Sequence, residues 1–256
     1  MVLGSRQPNM NTSVSNIALF IPCLVDQVYP GIGLAMARFL KHFGYKVSYD
    51  PRQTCCGQPA FNAGHRAEAR SVARTFLQVF EHADLIVGPS GSCTAMVRNY
   101  YPLLFKDEHD CETARALGPR MLEFSEFCLR ENLDAQISGN FPAAVGFHNS
   151  CHSYRELGIR EEPFRLLERF TGIELKTPPG EPVCCGFGGL FSAKYTAIAA
   201  AMANTRLQSF TDLGVDYIVS NDPGCIMHMR QEAIDRRIGT PILHLTEFLV
   251  KAMQIS

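Results

Sequence analysis

The stretch CCGQPAFNAGH at residues 55–65 recurs as CCGFGGLFSAK at residues 184–194. In both, two adjacent cysteines precede a glycine, a run of small or apolar residues and the start of a helical pattern. The frame around each pair recurs as well. Upstream, an apolar run ends at Cys23 (IALFIPC) or Cys151 (AAVGFHNSC); downstream, another reaches Cys93 (DLIVGPSGSC) or Cys225 (DYIVSNDPGC). Each half closes on LEFSEFC (122–128) or LHLTEFL (243–249). The offsets, 151−23=128, 184−55=129 and 225−93=132, are nearly constant. Self-similarity at a fixed period marks a duplicated unit, and the duplicated feature is a set of four cysteines.

Strand and helix patterns alternate around these cysteines. Residues 17–22, 45–49 and 84–88 read as strands, as do a short piece near Leu122 and residues 144–148, 173–176, 217–220 and 241–245. Between them, residues 31–43, 63–82, 163–170 and 192–213 carry apolar residues at helical spacing, and a further helix runs to Arg237. Ser125 and Thr246 are expected to cap the closing helices. Residues 101–119 read as a polar insertion. The expected fold is α/β: two lobes related by a pseudo-two-fold, each a mostly parallel sheet flanked by helices. The expected boundaries are a disordered leader at 1–16, a first lobe at 17–142 and a second at 143–256. Each cysteine follows a strand and precedes a helix, which places it at the carboxyl edge of its sheet, where open parallel sheets bind ligands.

Composition narrows the function. A net charge of −1 with no basic run gives no electrostatic basis for binding nucleic acid or an anionic membrane surface. The apolar runs are too short to span a bilayer. The first sixteen residues lack a signal-peptide core, so the cytoplasm is the expected location. Ten cysteines in a chain of 256 residues without that signal point to metal or redox chemistry and away from a disulfide framework.

Two sets of four thiolates follow: Cys23, Cys55, Cys56 and Cys93, and Cys151, Cys184, Cys185 and Cys225. Each meets the ligand demand of a tetrahedral zinc or of an iron–sulfur cluster. Adjacent thiolates sit more easily on a cluster, whose irons are separate attachment points, and Gly57 and Gly186 free the backbone for a sharp turn. Buried apolar cysteines are the plainer alternative, but they have no reason to recur in one frame. Cys128, opposite Leu249, reads as core filler, and Cys111 falls in the insertion without a counterpart. His65, His152, Arg66 and Arg155 lie near the cysteines, where solvated helix faces account for them equally well. The glycines of CGFGG lack dinucleotide-binding spacing.

The paired frames resemble the cysteine-rich CCG domains of heterodisulfide reductase and of the iron–sulfur component of glycolate oxidase. FIPCLVDQVYP, CCGQPAFNAGH, GPSGSC, HNSCHSYRELGI and CCGFGGLFSAK are most similar, in order, to the landmarks of the lactate utilisation protein A family. The resemblance runs from about residue 17 to the end. It implies a cytosolic iron–sulfur protein, with [4Fe–4S] the expected cluster, that works with two partner proteins, at least one of them iron–sulfur, in oxidising L-lactate to pyruvate. It implies electron transfer by a component that is not catalytic alone. The heterodisulfide reductase pattern has a fifth cysteine three residues before the last; here those positions are Ser90 and Asp222. The resemblance therefore stops short of that family's non-cubane cluster pair. Two other readings stand beside electron transfer: a scaffold stabilised by zinc, in one lobe or both, and a heterodisulfide-reductase-like thiol–disulfide enzyme.

Overall fold

The computed structural model describes residues 16–180 and 182–256. Residues 1–15, nearly all of the expected leader, lie outside them. The first half runs β1 (Asn16–Leu19), α1 (Cys23–Gln27), α2 (Pro30–His42), β2 (Lys46–Ser48), α3 (Gln58–Asn62), α4 (Arg66–Phe80), β3 (Ile86–Gly88) and α5 (Gly91–Ala95). A π-helical turn (Met96–Tyr100), α6 (Tyr101–Leu104), α7 (Asp110–Leu117), β4 (Met121–Glu123) and α8 (Phe124–Arg130) complete it. The second half runs β5 (Gly139–His148), α9 (Cys151–Glu156), α10 (Glu162–Leu167), β6 (Phe170–Lys176), α11 (Leu190–Lys194) and α12 (Thr196–Thr211). It ends with β7 (Tyr217–Ser220), α13 (Pro223–Asp235), β8 (Ile242–His244) and α14 (Leu245–Ala252).

The sheets are ordered β2-β1-β3-β4 and β6-β5-β7-β8, and every strand pair is parallel. The two orders correspond place by place, as a duplication requires. Helices cover both faces of each sheet, so β3 reads Ile-Val-Gly and is buried throughout. The halves also exchange helices. α14 of the second half packs on α2 of the first, and α8 of the first packs on α10 of the second. That reciprocity is what a two-fold relation between copies produces. One core runs through the junction, with Phe39, Phe124, Phe127, Phe147 and Phe248 buried together.

Three local features differ from the sequence expectations. The helix expected at 63–82 is α4 and starts later, at Arg66, because Gly64 takes a φ of 86° after the short α3; the 192–213 helix breaks at Tyr195. Residues 101–119 are largely helical, and α7 buries Cys111, Ala114 and Leu117 on one face. The closing helices are capped by Glu123 and His244, not by Ser125 and Thr246. Strand passes directly into helix there, so the last strand residue is the cap. Glu123 Oε2 accepts from the Ser125 and Glu126 amides at 2.8 and 3.3 Å. His244 Nδ1 accepts from the Thr246 amide at 3.1 Å, and its Nε2 donates to the Pro89 carbonyl of the other half at 2.9 Å.

Glu123 is fully buried, and burial raises its carboxyl to about 8. The folded chain therefore prefers the protonated acid. Its contribution is present below the unfolded value near 4.5 and is lost as pH rises through about 8. Glu123→Gln keeps an acceptor for the cap and removes the titration. Every other group titrates alike in both proteins, so the difference between the metal-free parent and this variant isolates Glu123. From pH 5 to 8.5 the parent should lose stability relative to the variant with a slope of at most about 1.4 kcal/mol per pH unit. Parallel melting curves across the range would refute this.

Candidate metal centres

Each cysteine set is assembled at the carboxyl edge of its own sheet. Cys23 opens α1 after Pro22, and Cys55 and Cys56 sit in the loop between β2 and α3. Cys93 lies within the first turn of α5, where its amide donates to the Ser90 hydroxyl at 3.3 Å. The second half repeats this arrangement. Cys151 opens α9, Cys184 and Cys185 lie in the loop before α11, and Cys225 sits in the first turn of α13. All ten cysteines are free thiols.

The sulfurs are in mutual contact. Cys23 and Cys55 are 3.5 Å apart at Sγ, and Cys56 hydrogen-bonds both Cys55 and Cys93. Cys185 and Cys225 approach to 3.0 Å, and Cys184 hydrogen-bonds both Cys151 and Cys185. Such separations exceed a disulfide bond of about 2.05 Å. The glycine after each pair takes a left-handed φ, 82° at Gly57 and 85° at Gly186. This turns its amide back onto the first cysteine of the pair, at 3.4 Å to Cys55 and 3.3 Å to Cys184. A Cβ at Gly186 would lie 2.7 Å from the Ala199 carbonyl oxygen, so only glycine fits there.

Proton sharing within each set is uneven. Hydrogen bonds from Cys23 and Cys56 hold Cys55 far below the ordinary thiol range, and bonds from Cys151 and Cys185 do the same for Cys184. The donor thiols Cys23, Cys56, Cys151 and Cys185 are pushed up, chiefly by those same bonds. Each set thus already favours thiolate at the residue that receives the glycine N–H. A cavity of about 130 Å³ lies over the first set, bounded by its four cysteines and, from the second half, by Phe187, Gly189, Pro223 and Gly224. A larger open groove of about 510 Å³ runs past Asn16, Ser48, Asp50 and His82 and touches no cysteine.

The second set has two further neighbours that sequence reasoning missed. A ring nitrogen of His148 and the sulfurs of Cys185 and Cys225 lie within 4.8 Å of one another, all buried. Arg206, only 5% exposed, donates from Nε to His148 Nδ1 at 3.0 Å. Burial and the guanidinium push His148 down to about 3, and burial lowers Arg206 to about 10. His148 Nε2 is buried with no hydrogen-bond partner among the described residues. The signal was in the frame: the residue three before the first cysteine is Phe20 in one half and His148 in the other.

The other candidates fall away from the sulfurs. His65 is exposed at the start of α4, and Arg66 lies over the Phe61 ring at 3.6 Å. Arg155 is exposed. His152 stays near, with Nδ1 3.6 Å from Cys151 Sγ, but its Nε2 faces Glu156 at 3.7 Å and Gln58 of the other half at 3.4 Å. Cys128 is buried in the shared core, and Cys111 lies on the buried face of α7. Ser90 and Asp222 meet across the halves. The Ser90 hydroxyl donates to Asp222 Oδ2 at 3.2 Å, and the Ser92 amide donates to the same oxygen at 2.9 Å. Where a fifth thiolate would stand, the halves are hydrogen-bonded to each other.

The cysteine-rich (CCG) domain family matches residues 17–98 and 145–230, one match on each half. Lactate utilization protein A of Halalkalibacterium halodurans is 36% identical over 235 residues, covering 91% of this chain and 96% of that protein. That of Geobacillus sp. (strain WCH70) is 36% identical over 240 residues, with 91% and 98% covered. Lactate utilization protein A 2 of Bacillus cereus (strain Q1) is 33% identical over 238 residues, with 93% and 98% covered. Among solved structures, a sugar ABC transport substrate-binding protein from Bordetella parapertussis aligns over 90% of this chain and 68% of its own. Its identity is 11% and its TM-score 0.31, too low to carry an argument about fold.

Proposed function

Because this chain belongs to the lactate utilization protein A family, with a cysteine-rich CCG domain in each half, we propose that it is the electron-carrying iron–sulfur component of a complex that oxidises L-lactate to pyruvate. In this reading Cys23, Cys55, Cys56 and Cys93 hold one [4Fe–4S] cluster, and Cys151, Cys184, Cys185 and Cys225 hold another. The observation that carries it is the matched pair of four-sulfur sets, each with a glycine N–H aimed at one sulfur. The donor chemistry fits: soft thiolates, four to a set, in contact with one another and receiving a backbone hydrogen bond.

When bound, such a cluster supplies one-electron oxidation and reduction. The chain's part is to hold it and to set its surroundings. Gly57 and Gly186 donate to the sulfurs of Cys55 and Cys184 and so favour the thiolate. Phe187 and Gly224, from the second half, wall the cavity of the first set. Ser92, next to Cys93, donates to Asp222, three residues before Cys225, so the two sets are joined by a short bonded path. Two partner proteins, at least one of them iron–sulfur, complete the reaction in the cytosol, where lactate gives up two electrons, one for each cysteine set.

The second reading is zinc in place of a cluster in one half. The observation behind it is the compact group of His148, Cys185 and Cys225. A single tetrahedral ion with bonds of about 2.3 Å holds its ligands that close together. Colour and composition separate the two readings. Chain purified anaerobically is expected to be brown and to carry about eight iron and eight sulfide, four of each per cluster. A colourless protein with stoichiometric zinc would refute the proposal.

A further inference from the structure

The two cysteine sets match, but their floors do not. Phe20 and His148 each stand three residues before the first cysteine of their set, Phe20 just after β1 and His148 as the last residue of β5, the equivalent central strands. The helix beneath each set is fixed by its glycine contact. Gly57 approaches the Ala69 carbonyl, and Gly186 approaches the Ala199 carbonyl. Seven residues further on lie Phe76 (69+7) and Arg206 (199+7). The first half therefore floors its set with Phe20 against Phe76, edge to face with centroids 4.8 Å apart. The second half has His148 against Arg206 in the same two places, joined by a hydrogen bond of 3.0 Å.

That exchange changes the chemistry beneath the second set in two ways. Arginine can only donate, so His148 Nδ1 carries the lone pair and Nε2 carries the proton. With Nδ1 occupied by Arg206, the Nε2–H is a buried donor without a partner among the described residues, on a ring that has a nitrogen within 4.8 Å of the sulfurs of Cys185 and Cys225. Protonated, Nε2 offers a donor to sulfur and no lone pair to a metal. The guanidinium adds a full positive charge a short distance behind it, in a site only 5% exposed, where water screens little. The first half offers neither donor nor cation at these places.

We infer that the two centres are inequivalent redox stations, with His148 and Arg206 as positioning and tuning residues that make the second-half centre the easier to reduce. Hydrogen bonds to sulfur and nearby positive charge both stabilise the more negative, reduced state. An electron entering the chain thus rests on the Cys151, Cys184, Cys185 and Cys225 set, and the Cys23, Cys55, Cys56 and Cys93 set is the weaker acceptor. The inference rests on the iron–sulfur reading above.

The test is a redox titration of the full, anaerobically loaded chain followed by electron paramagnetic resonance, with iron and sulfide counted on the same samples. The parent is expected to show two separate one-electron transitions. Arg206→Met should move only the upper one downward, by at least a tenfold shift in its reduction equilibrium, which is about 59 mV. Arg206→Lys, which keeps the charge, should recover part of that shift. The double variant His148→Phe with Arg206→Phe installs the pair that the first half already packs, and should bring the two transitions together. It gives a second reading if Arg206→Met folds poorly. Full iron and sulfide with a single transition in the parent, or an upper transition indifferent to both variants, overturns the inference and leaves the functional reading standing. A parent chain that binds no iron or sulfide overturns the functional reading itself.

Discussion

Cys185→Ser is expected to lose about half of the bound iron and sulfide and to abolish lactate-dependent electron flow through the assembled complex, while the chain stays folded. Cys185 is only 2% exposed and lies 3.0 Å from Cys225, so its sulfur is at the centre of the second set. Serine is nearly isosteric, which spares the packing, but its hydroxyl is a harder, more weakly acidic ligand that a cluster iron does not hold as it holds thiolate. Cys56→Ser should remove the other half of the iron by the same argument, since Cys56 occupies the equivalent place in the first set. Cys128→Ser is the control. Cys128 is fully buried in the shared core, so a hydroxyl there should cost about 1–3 kcal/mol of stability and no iron. Iron content unchanged in Cys185→Ser, or lost equally in Cys128→Ser, would refute the assignment.

The fold is legible in the sequence because the duplication repeats the strand–cysteine–helix order, and parallel sheets with short connections leave few other arrangements. The cysteine sets are legible for the same reason. What escapes a linear reading depends on side chains reaching across boundaries that the pattern does not mark. Glu123 and His244 cap their helices from inside a strand, so the usual cap residues Ser125 and Thr246, two positions later, draw the expectation away from them. Cys111 falls in an apparently polar insertion because Asp110, Glu112 and Arg115 dominate that stretch, yet Cys111, Ala114 and Leu117 recur at a spacing of three and face inward. His148 and Arg206 are hidden differently. A histidine at the end of a strand and an arginine on a helix are ordinary alone. They become informative when the halves are aligned and the same two positions hold a phenylalanine pair. Ser90 and Asp222 read in the sequence as missing thiolates, and their positive role, a bond between the halves, needs both loops in place.

The isolated, cluster-loaded chain is expected to give no steady turnover of L-lactate with an artificial electron acceptor, whereas the same preparation mixed with the two partners of the proposed complex should turn over. Oxidising a 2-hydroxy acid needs a cation for the carboxylate, a base for the hydroxyl proton and an acceptor for two electrons at the α-carbon. The cavity over the first set is bounded, among the described residues, by cysteines, prolines, glycines, Leu24, Phe187, serines and the amides Gln58 and Asn62, with no cationic side chain. Arg206, the cation buried beside the second set, is engaged with His148 beneath the sulfurs and stacks over the Phe210 ring at 4.3 Å. Neither place offers a carboxylate clamp beside a base. In the proposed reading a cluster would take one electron at a time, so the two-electron step would fall to a group on a partner and this chain would carry the electrons onward singly. The assay is run anaerobically with iron content verified, so that silence reflects missing substrate chemistry and not a lost cluster. Sustained turnover by the chain alone would place a complete lactate site within it and remove the relay reading.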